Sequence, residues 1–149
     1  MKNIKFALAL VAGLSVAAPT VSFAQTAETG VAVVEGVDIA SILAACTATP
    51  DLCAGLLDAA LASVQAAAVP ATVKDLVIGQ LAAVAVVTAG SNSGNTALRT
   101  ALAAEISKIS AAASTEAQRT ALTNTATTVS TGGEALTQLA TDTRVLASG

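Results

Sequence analysis

The chain contains two cysteines, Cys46 and Cys53, seven positions apart on either side of the dipeptide Thr49-Pro50. An even number of cysteines in an exported chain is typical of a disulfide. The alternative is a pair of reduced thiols that pack as small apolar side chains. We predict a Cys46–Cys53 disulfide. The spacing differs from the CxxC of redox motifs, and two cysteines without histidine fall short of the four ligands of a zinc site.

The sequence contains few residues of the types that catalysis usually requires. The chain has no histidine, which removes the usual acid–base group and the usual serine and cysteine triads. Ser107 and Lys108 are adjacent, so on a helix they point in different directions and form no dyad. Asp51 and Asp58 lie two helical turns apart, and we interpret them as solvated surface. Phosphate-loop and calcium-loop patterns are also missing, so we expect no enzyme, no cofactor and no metal.

The N-terminus has the pattern of a secretory signal peptide, residues 1–24. Lys2 and Lys5 precede an uncharged apolar run from Phe6 to Ala18, and small residues at Ser22 and Ala24 predict cleavage before Gln25. A membrane anchor is the alternative, but the run is short for a span. We therefore expect a bacterial protein exported to the periplasm or the cell exterior.

Removal of residues 1–24 changes the charge and composition. The full chain has seven basic and ten acidic residues, a net charge of −3; without Lys2 and Lys5 it has five against ten, or −5. Both phenylalanines, Phe6 and Phe23, also leave, so the mature chain has no aromatic residue. Nucleic acid binding relies on Lys and Arg at phosphates and often on aromatic stacking, and is therefore disfavoured.

One stretch, Val73 to Ala89, must lie at the centre of the fold. After Gln80 it is apolar up to Thr88, and a helix that is apolar on every side must be covered on every side. We predict a central helix over about 70–89 that starts at Pro70. An Ala/Val/Leu core gains less per residue than an aromatic one, so a disulfide would add needed stability.

Two helices precede the central one. Asp38 is a good N-cap for the first, whose apolar stripe ends at Cys46. Thr49 and Pro50 predict the start of the second, which runs to about Ala68. Its predicted apolar face comprises Leu52, Cys53, Leu56, Leu57, Ala60, Leu61 and Val64. Residues 25–37 are polar at first and then apolar, and we predict an N-terminal arm; a short strand is the alternative.

The C-terminal half begins after a predicted loop, Gly90 to Asn95. Residues 96–113 have a helical apolar face, with Arg99 placed off it. Thr115 has capping-box spacing to Gln118 and predicts a further helix, which Gly132-Gly133 breaks before a last helix over 134–146. Ten threonines between 115 and 143 lower helix propensity, so we expect 115–149 to be loosely packed, with Val129 peripheral.

The patterns together predict an all-α protein: a small bundle of about five to six short, alanine-rich helices around a central apolar helix, with 38–149 as one domain. For function we predict a non-enzymatic structural protein that associates through helix packing with itself or with a cell-envelope partner. The candidate interface residues are small and lie off the apolar face of the second helix: Gly55, Ala59, Ala62 and Ser63. The alternative is a helical protein that associates with membranes or binds lipid or a small apolar ligand. Against it, the apolar run is short and lacks aromatic anchors.

Overall fold

The computed structural model describes the backbone of residues 34–148 and the side chains of 34–141. The predicted signal peptide and most of the predicted arm lie outside these residues. Six helices are described, with a 3₁₀ turn at Pro50–Leu52: α1 Ile39–Ala48, α2 Cys53–Ala66, α3 Ala71–Ser91, α4 Thr96–Ala112, α5 Glu116–Thr131 and α6 Gly133–Ser148. The predicted all-α bundle is confirmed.

The central position of α3 is also confirmed. It packs against each of the other five helices, and no residue from Val73 to Gly90 is exposed. The one continuous core of buried residues extends from Val34 to Ala140 and contains side chains of all six helices. Because α3 has no polar face, every neighbour presents an apolar stripe to it and keeps its own polar face in solvent.

The helix α3 is longer than predicted, because Gly90 and Ser91 belong to it and not to the loop. Gly90 lies where α6 crosses α3, and a Cβ at this position would overlap the Cβ of Ala140. The glycine thus serves a close helix–helix contact, and this contact outweighs its poor helix propensity. The Asn92 side chain then ends the helix by donating its Nδ2–H to the carbonyl oxygen of Thr88, at 2.9 Å.

Asp38 caps α1 as predicted. Its carboxylate accepts hydrogen bonds from the backbone N–H groups of Ala40 and Ser41 and from the Ser41 hydroxyl. These bonds lower the pKa of Asp38 from its ordinary value, the Ser41 hydroxyl having the largest effect. A lowered folded-state pKa means that the cap stabilises the fold above the ordinary carboxyl pKa and is lost as the pH falls through the folded value. The preceding turn buries Val34 and Val37 in the core.

The start of α2 differs from the prediction. Residues Pro50–Leu52 form a 3₁₀ turn, and the Thr49 side chain makes no capping hydrogen bond. A 3₁₀ turn has about three residues per turn, so it rotates Leu52 away from the face on which an α-helix would place it. The assignment of Leu52 to the core face is therefore wrong: Leu52 is 61% exposed. From Cys53 onward the predicted core face is buried or half-buried.

The helix α5 is capped as predicted, with the Thr115 hydroxyl accepting from the Gln118 backbone N–H. The Gln118 side chain completes no reciprocal capping bond; its Nε2 donates instead to the Asp75 carbonyl oxygen on α3, at 2.7 Å. The expectation of a peripheral Val129 is wrong, since Val129 is fully buried. Threonines of α5 and α6 donate their hydroxyls to carbonyls four residues earlier, which lets them stay helical on the exposed side.

Gly90→Ala should lower the free energy of unfolding by about 1–3 kcal/mol, because the added methyl overpacks the α3–α6 contact. Gly79→Ala is the matched control in the same helix. A Cβ at Gly79 would meet only the Gln118 side chain, at an ordinary 3.9 Å. This control should gain about 0.5–1 kcal/mol from helix propensity. Chemical denaturation measures both, and a neutral Gly90→Ala would contradict the close crossing.

Val84→Asp and Val129→Asp should both destabilise the protein by several kcal/mol, because each places an unpaired carboxylate at a fully buried position. Asn124→Asp adds the same charge at an exposed position of α5 and should change stability by less than about 0.5 kcal/mol. Denaturation midpoints of the three variants are the measurement. A Val129→Asp protein as stable as Asn124→Asp would mean that α5 is not part of the core.

Candidate interaction surface

A disulfide fixes the beginning of α2. Cys46 and Cys53 are bonded, with their Cα atoms 4.6 Å apart, and both residues are fully buried. The Thr88 hydroxyl of α3 lies 3.7 Å from the Cys53 sulfur and is the donor, because a disulfide sulfur carries no proton. The bridge thus holds α1, the 3₁₀ turn and α2 against the middle of the core and sets which face of α2 points outward.

The outward face of α2 combines small residues with the polar residues Asp58 and Gln65, which are also exposed. Gly55, Ala59 and Ala62 are exposed, and the Leu52 side chain is exposed just before them. Gly55, Ala59 and Ala62 lie on one side of the helix, and Leu52 precedes them in the 3₁₀ turn. We call Leu52, Gly55, Ala59 and Ala62 the α2 surface. The fourth predicted residue, Ser63, is half-buried beside it.

The four side chains of the α2 surface are apolar, and the exposed polar residues Asp58 and Gln65 flank them. The Ser63 hydroxyl donates to the carbonyl oxygen of Ala59 at 3.2 Å, so its polar group is satisfied within the helix. A Cβ at Gly55 would meet no atom within 4 Å, so the fold of one chain does not need a glycine there. A glycine inside a helix is destabilising by about 1 kcal/mol relative to alanine. Gly55 therefore lowers helix stability without serving a contact in the described chain.

A charge cluster ties the side of α2 to α4. The Lys108 ammonium lies 2.7 Å from Glu105 Oε1 and 3.1 Å from Asp58 Oδ1. These two carboxylates, Glu105 first, raise the pKa of Lys108 above its ordinary value. A raised folded-state pKa means that the contact stabilises the fold below the ordinary lysine pKa and is lost as the pH rises through the folded value. The cluster is exposed at Lys108 and Asp58, so its contribution is small.

Arg99 is the functional group that the sequence pattern missed. It is 9% exposed, and its Nη1 donates to the carbonyl oxygens of Ser130 at 2.9 Å and Val129 at 3.3 Å. It therefore covers the C-terminal end of α5, where carbonyls lack helical partners and the helix dipole is negative. Helical periodicity placed Arg99 off the apolar face of α4, and only the tertiary contact with α5 explains its burial.

Two features bear on ligand binding. Among the side chains of residues 34–141, no group of three or more His, Cys, Asp or Glu is arranged to hold a metal ion. An open depression of about 590 Å³ lies beside α6, lined by Glu134, Ala135, Thr137, Gln138 and Thr141. Its polar and exposed lining differs from the apolar cavity that a small apolar ligand would need.

The length of α3 corrects an argument made from the sequence. With 21 residues, α3 is about 31 Å long and is long and apolar enough to cross a membrane by length and composition. The apolar run from Val73 to Ala89 is shorter than a span, but the helix that contains it extends from Ala71 to Ser91. In the described fold α3 is the covered core helix, and core helices of this kind meet the same criterion.

Comparison with known proteins gives no relative: no protein-family model, curated protein or solved structure matches this chain.

Reduction of the Cys46–Cys53 bond should lower the free energy of unfolding by about 2–3 kcal/mol, because a loop this short restricts the unfolded chain modestly. The folded, unreduced protein should not react with a thiol reagent, and its intact mass should increase by two hydrogens on reduction. Free labelling of both thiols in protein isolated from its own cell envelope would contradict the bridge. A Cys46→Ala/Cys53→Ala variant, insensitive to reductant, is the control.

Proposed function

We propose that this chain is an exported, non-enzymatic helical protein that acts by association, packing its α2 surface against a second copy of the chain. A cell-envelope protein with a similar helix face is the other partner class. The observation that carries the proposal is the α2 surface itself, an exposed strip of small side chains with one exposed leucine beside it. Leu52 is the one large hydrophobic residue that is exposed among the described residues.

Small side chains favour helix-to-helix contact over binding of a compact ligand. Where Gly and Ala line a helix, a second helix can approach to the short end of the usual interaxial range, about 8 Å. Two copies of the same face form a self-complementary contact when related by a twofold axis, the commonest symmetry of homo-oligomers. Without aromatic anchors, such an interface gains its stability from many close contacts along the helix.

The signal-peptide pattern supports export, and the missing histidine supports a role without turnover. The disulfide fits the same compartment, because such bonds persist where the environment is oxidising. These points support the proposal independently of the α2 surface. They also favour a partner in the periplasm or at the cell exterior.

The second candidate function is association with a membrane through α3, which its length and composition favour. In the membrane-associated state the other helices would have to separate from α3. Their apolar stripes would then have to pack against lipid or against one another. The covered state of α3 in the described fold favours association through α2 instead.

Ala59→Arg should weaken self-association at least tenfold, because it places a long cation at the centre of the α2 surface without touching the core. Ala121→Arg, at an exposed position of α5, is the matched control and should leave association unchanged. Sedimentation equilibrium over a concentration series measures the dissociation constants, and circular dichroism confirms that both variants are folded. A wild-type chain that remains monomeric at high concentration and yields no crosslinked partner in its own envelope would refute the proposal.

Flotation with vesicles distinguishes the membrane alternative. The mature protein should stay with the soluble fraction when mixed with vesicles of phosphatidylethanolamine and phosphatidylglycerol. Co-flotation of wild-type protein and Ala59→Arg alike would favour membrane association, because binding would then not depend on the α2 surface.

A further inference from the structure

The joint between α5 and α6 is one residue long and bent into a conformation that suits glycine. Gly132 alone separates Thr131, the last residue of α5, from Gly133, the first residue of α6. Both glycines have φ of 72°, a value that other L residues rarely adopt. The change in direction between the two helices therefore depends on these two residues and not on a loop.

Arg99 occupies the place of the next helical turn. In a continuous helix the carbonyls of Val129 and Ser130 would accept hydrogen bonds from the N–H groups four residues later, at Gly133 and Glu134. In the bent form Arg99 Nη1 donates to both carbonyls instead. A Cβ at Gly132 would overlap the guanidinium, so the joint is shaped to admit it.

The buried charge of Arg99 makes the bent arrangement of α5 and α6 less stable. The ion pairs of the described side chains do not include Arg99, and its Nε is buried without a hydrogen-bond partner among them. Its Nη2 donates to the Thr96 hydroxyl at 3.2 Å, so the buried cation is held by neutral oxygens and has lost hydration without gaining a carboxylate. Release of Arg99 would restore its hydration, while continuation of α5 would satisfy the two carbonyls.

The helix α6 is attached mainly to α3 and only slightly to α5. Its described inward-facing residues are few: Leu136 and Ala140 are buried and Leu139 is half-buried. Among these, Ala140 fits the space left by Gly90. Because α6 is the last helix, follows a one-residue joint and packs mainly against one neighbour, it can separate from α3 as a unit.

We propose that α6 is an exchangeable helix: when Arg99 leaves the end of α5, α5 and α6 join into one straight helix, and α6 packs on α3 of a second copy. The occupant of the vacated α3 face follows from the contacts described above, because a second copy presents the same Ala140 to the same Gly90. Such an exchange reuses every contact of the closed chain and changes only the joint. It goes beyond the proposed function, since it does not use the α2 surface.

Two substitutions should favour the exchanged dimer. At Gly133 a Cβ would meet no atom within 4 Å, so Gly133→Ala penalises only the bent backbone and favours a continuous helix. We expect the ratio of exchanged to closed protein to rise about 5- to 30-fold. Arg99→Met keeps an apolar stem but removes the donors, and should change the ratio in the same direction. Gly94→Ala, in the α3–α4 loop with open space around it, is the control and should leave the ratio unchanged.

The experiment separates this exchange from association through α2 by carrying Ala59→Arg in every protein. One preparation contains Ser91→Cys with a donor dye and the other Thr141→Cys with an acceptor; both positions are exposed and flank the Gly90–Ala140 contact. Mixed preparations of Gly133→Ala or Arg99→Met should sediment as dimers and show energy transfer between chains. The Gly94→Ala control should remain monomeric without transfer.

A wild-type joint supplies a further test if a variant fails to fold by circular dichroism. Donor and acceptor chains with the wild-type joint are mixed at high concentration, held just below the unfolding midpoint and cooled. Transfer between chains supports exchange. Absence of transfer here, together with monomeric variants, would overturn it. If Ala59→Arg abolishes the wild-type dimer and Gly133→Ala still shows transfer, both proposals are upheld. Loss of the dimer without transfer would refute only the exchange of α6. Transfer without loss of the dimer would refute only association through the α2 surface.

Discussion

The structure depends on the burial of one helix on all sides. Because α3 offers no polar face, it is stable in water only when other helices surround it, and each of the five others packs against it. The surrounding helices are amphipathic and have little reason to fold without α3. The sequence thus specifies a bundle in which the other five helices surround α3.

The residues available to build this core are small, and this restricts how the core gains stability. Without aromatic side chains each buried residue contributes little area, so the helices must approach closely to bury enough of it. The crossing of α3 and α6 at Gly90 shows how close this approach is. The Cys46–Cys53 bond then restrains a corner where the 3₁₀ turn leaves Leu52 in solvent. Close packing and one covalent link take the place of large anchors.

The helices, their order, the Asp38 and Thr115 caps and the disulfide could all be read from local patterns. The errors arose where the tertiary contact decides. The core-face prediction for Leu52 was wrong because a 3₁₀ turn has fewer residues per turn than an α-helix, by less than one residue. The loop prediction for Gly90 was wrong because glycine between a helix and a polar run usually indicates a loop. The expectation for Val129 was wrong because it rested on threonine content, which lowers helix propensity but does not decide which face of the helix is buried. The burial of Arg99 could not be predicted, since the local sequence does not indicate that a polar residue will cap another helix.

The glycines of the described helices and their joint differ in what they require, and this difference connects the fold with the two proposals. Gly90 and Gly132 are required by contacts within the chain, because a Cβ at either would overlap Ala140 or Arg99. Gly55 and Gly133 have open space around the position of a Cβ, so contacts within one chain do not explain them. At Gly133 the backbone angle is the reason, which makes the bend itself the feature that glycine maintains. At Gly55 neither reason applies, and a glycine on an exposed helix face is then most simply explained by the close approach of another helix. The two proposals therefore depend on these two glycines: Gly55 lies on the surface proposed for association, and Gly133 lies in the joint proposed to straighten.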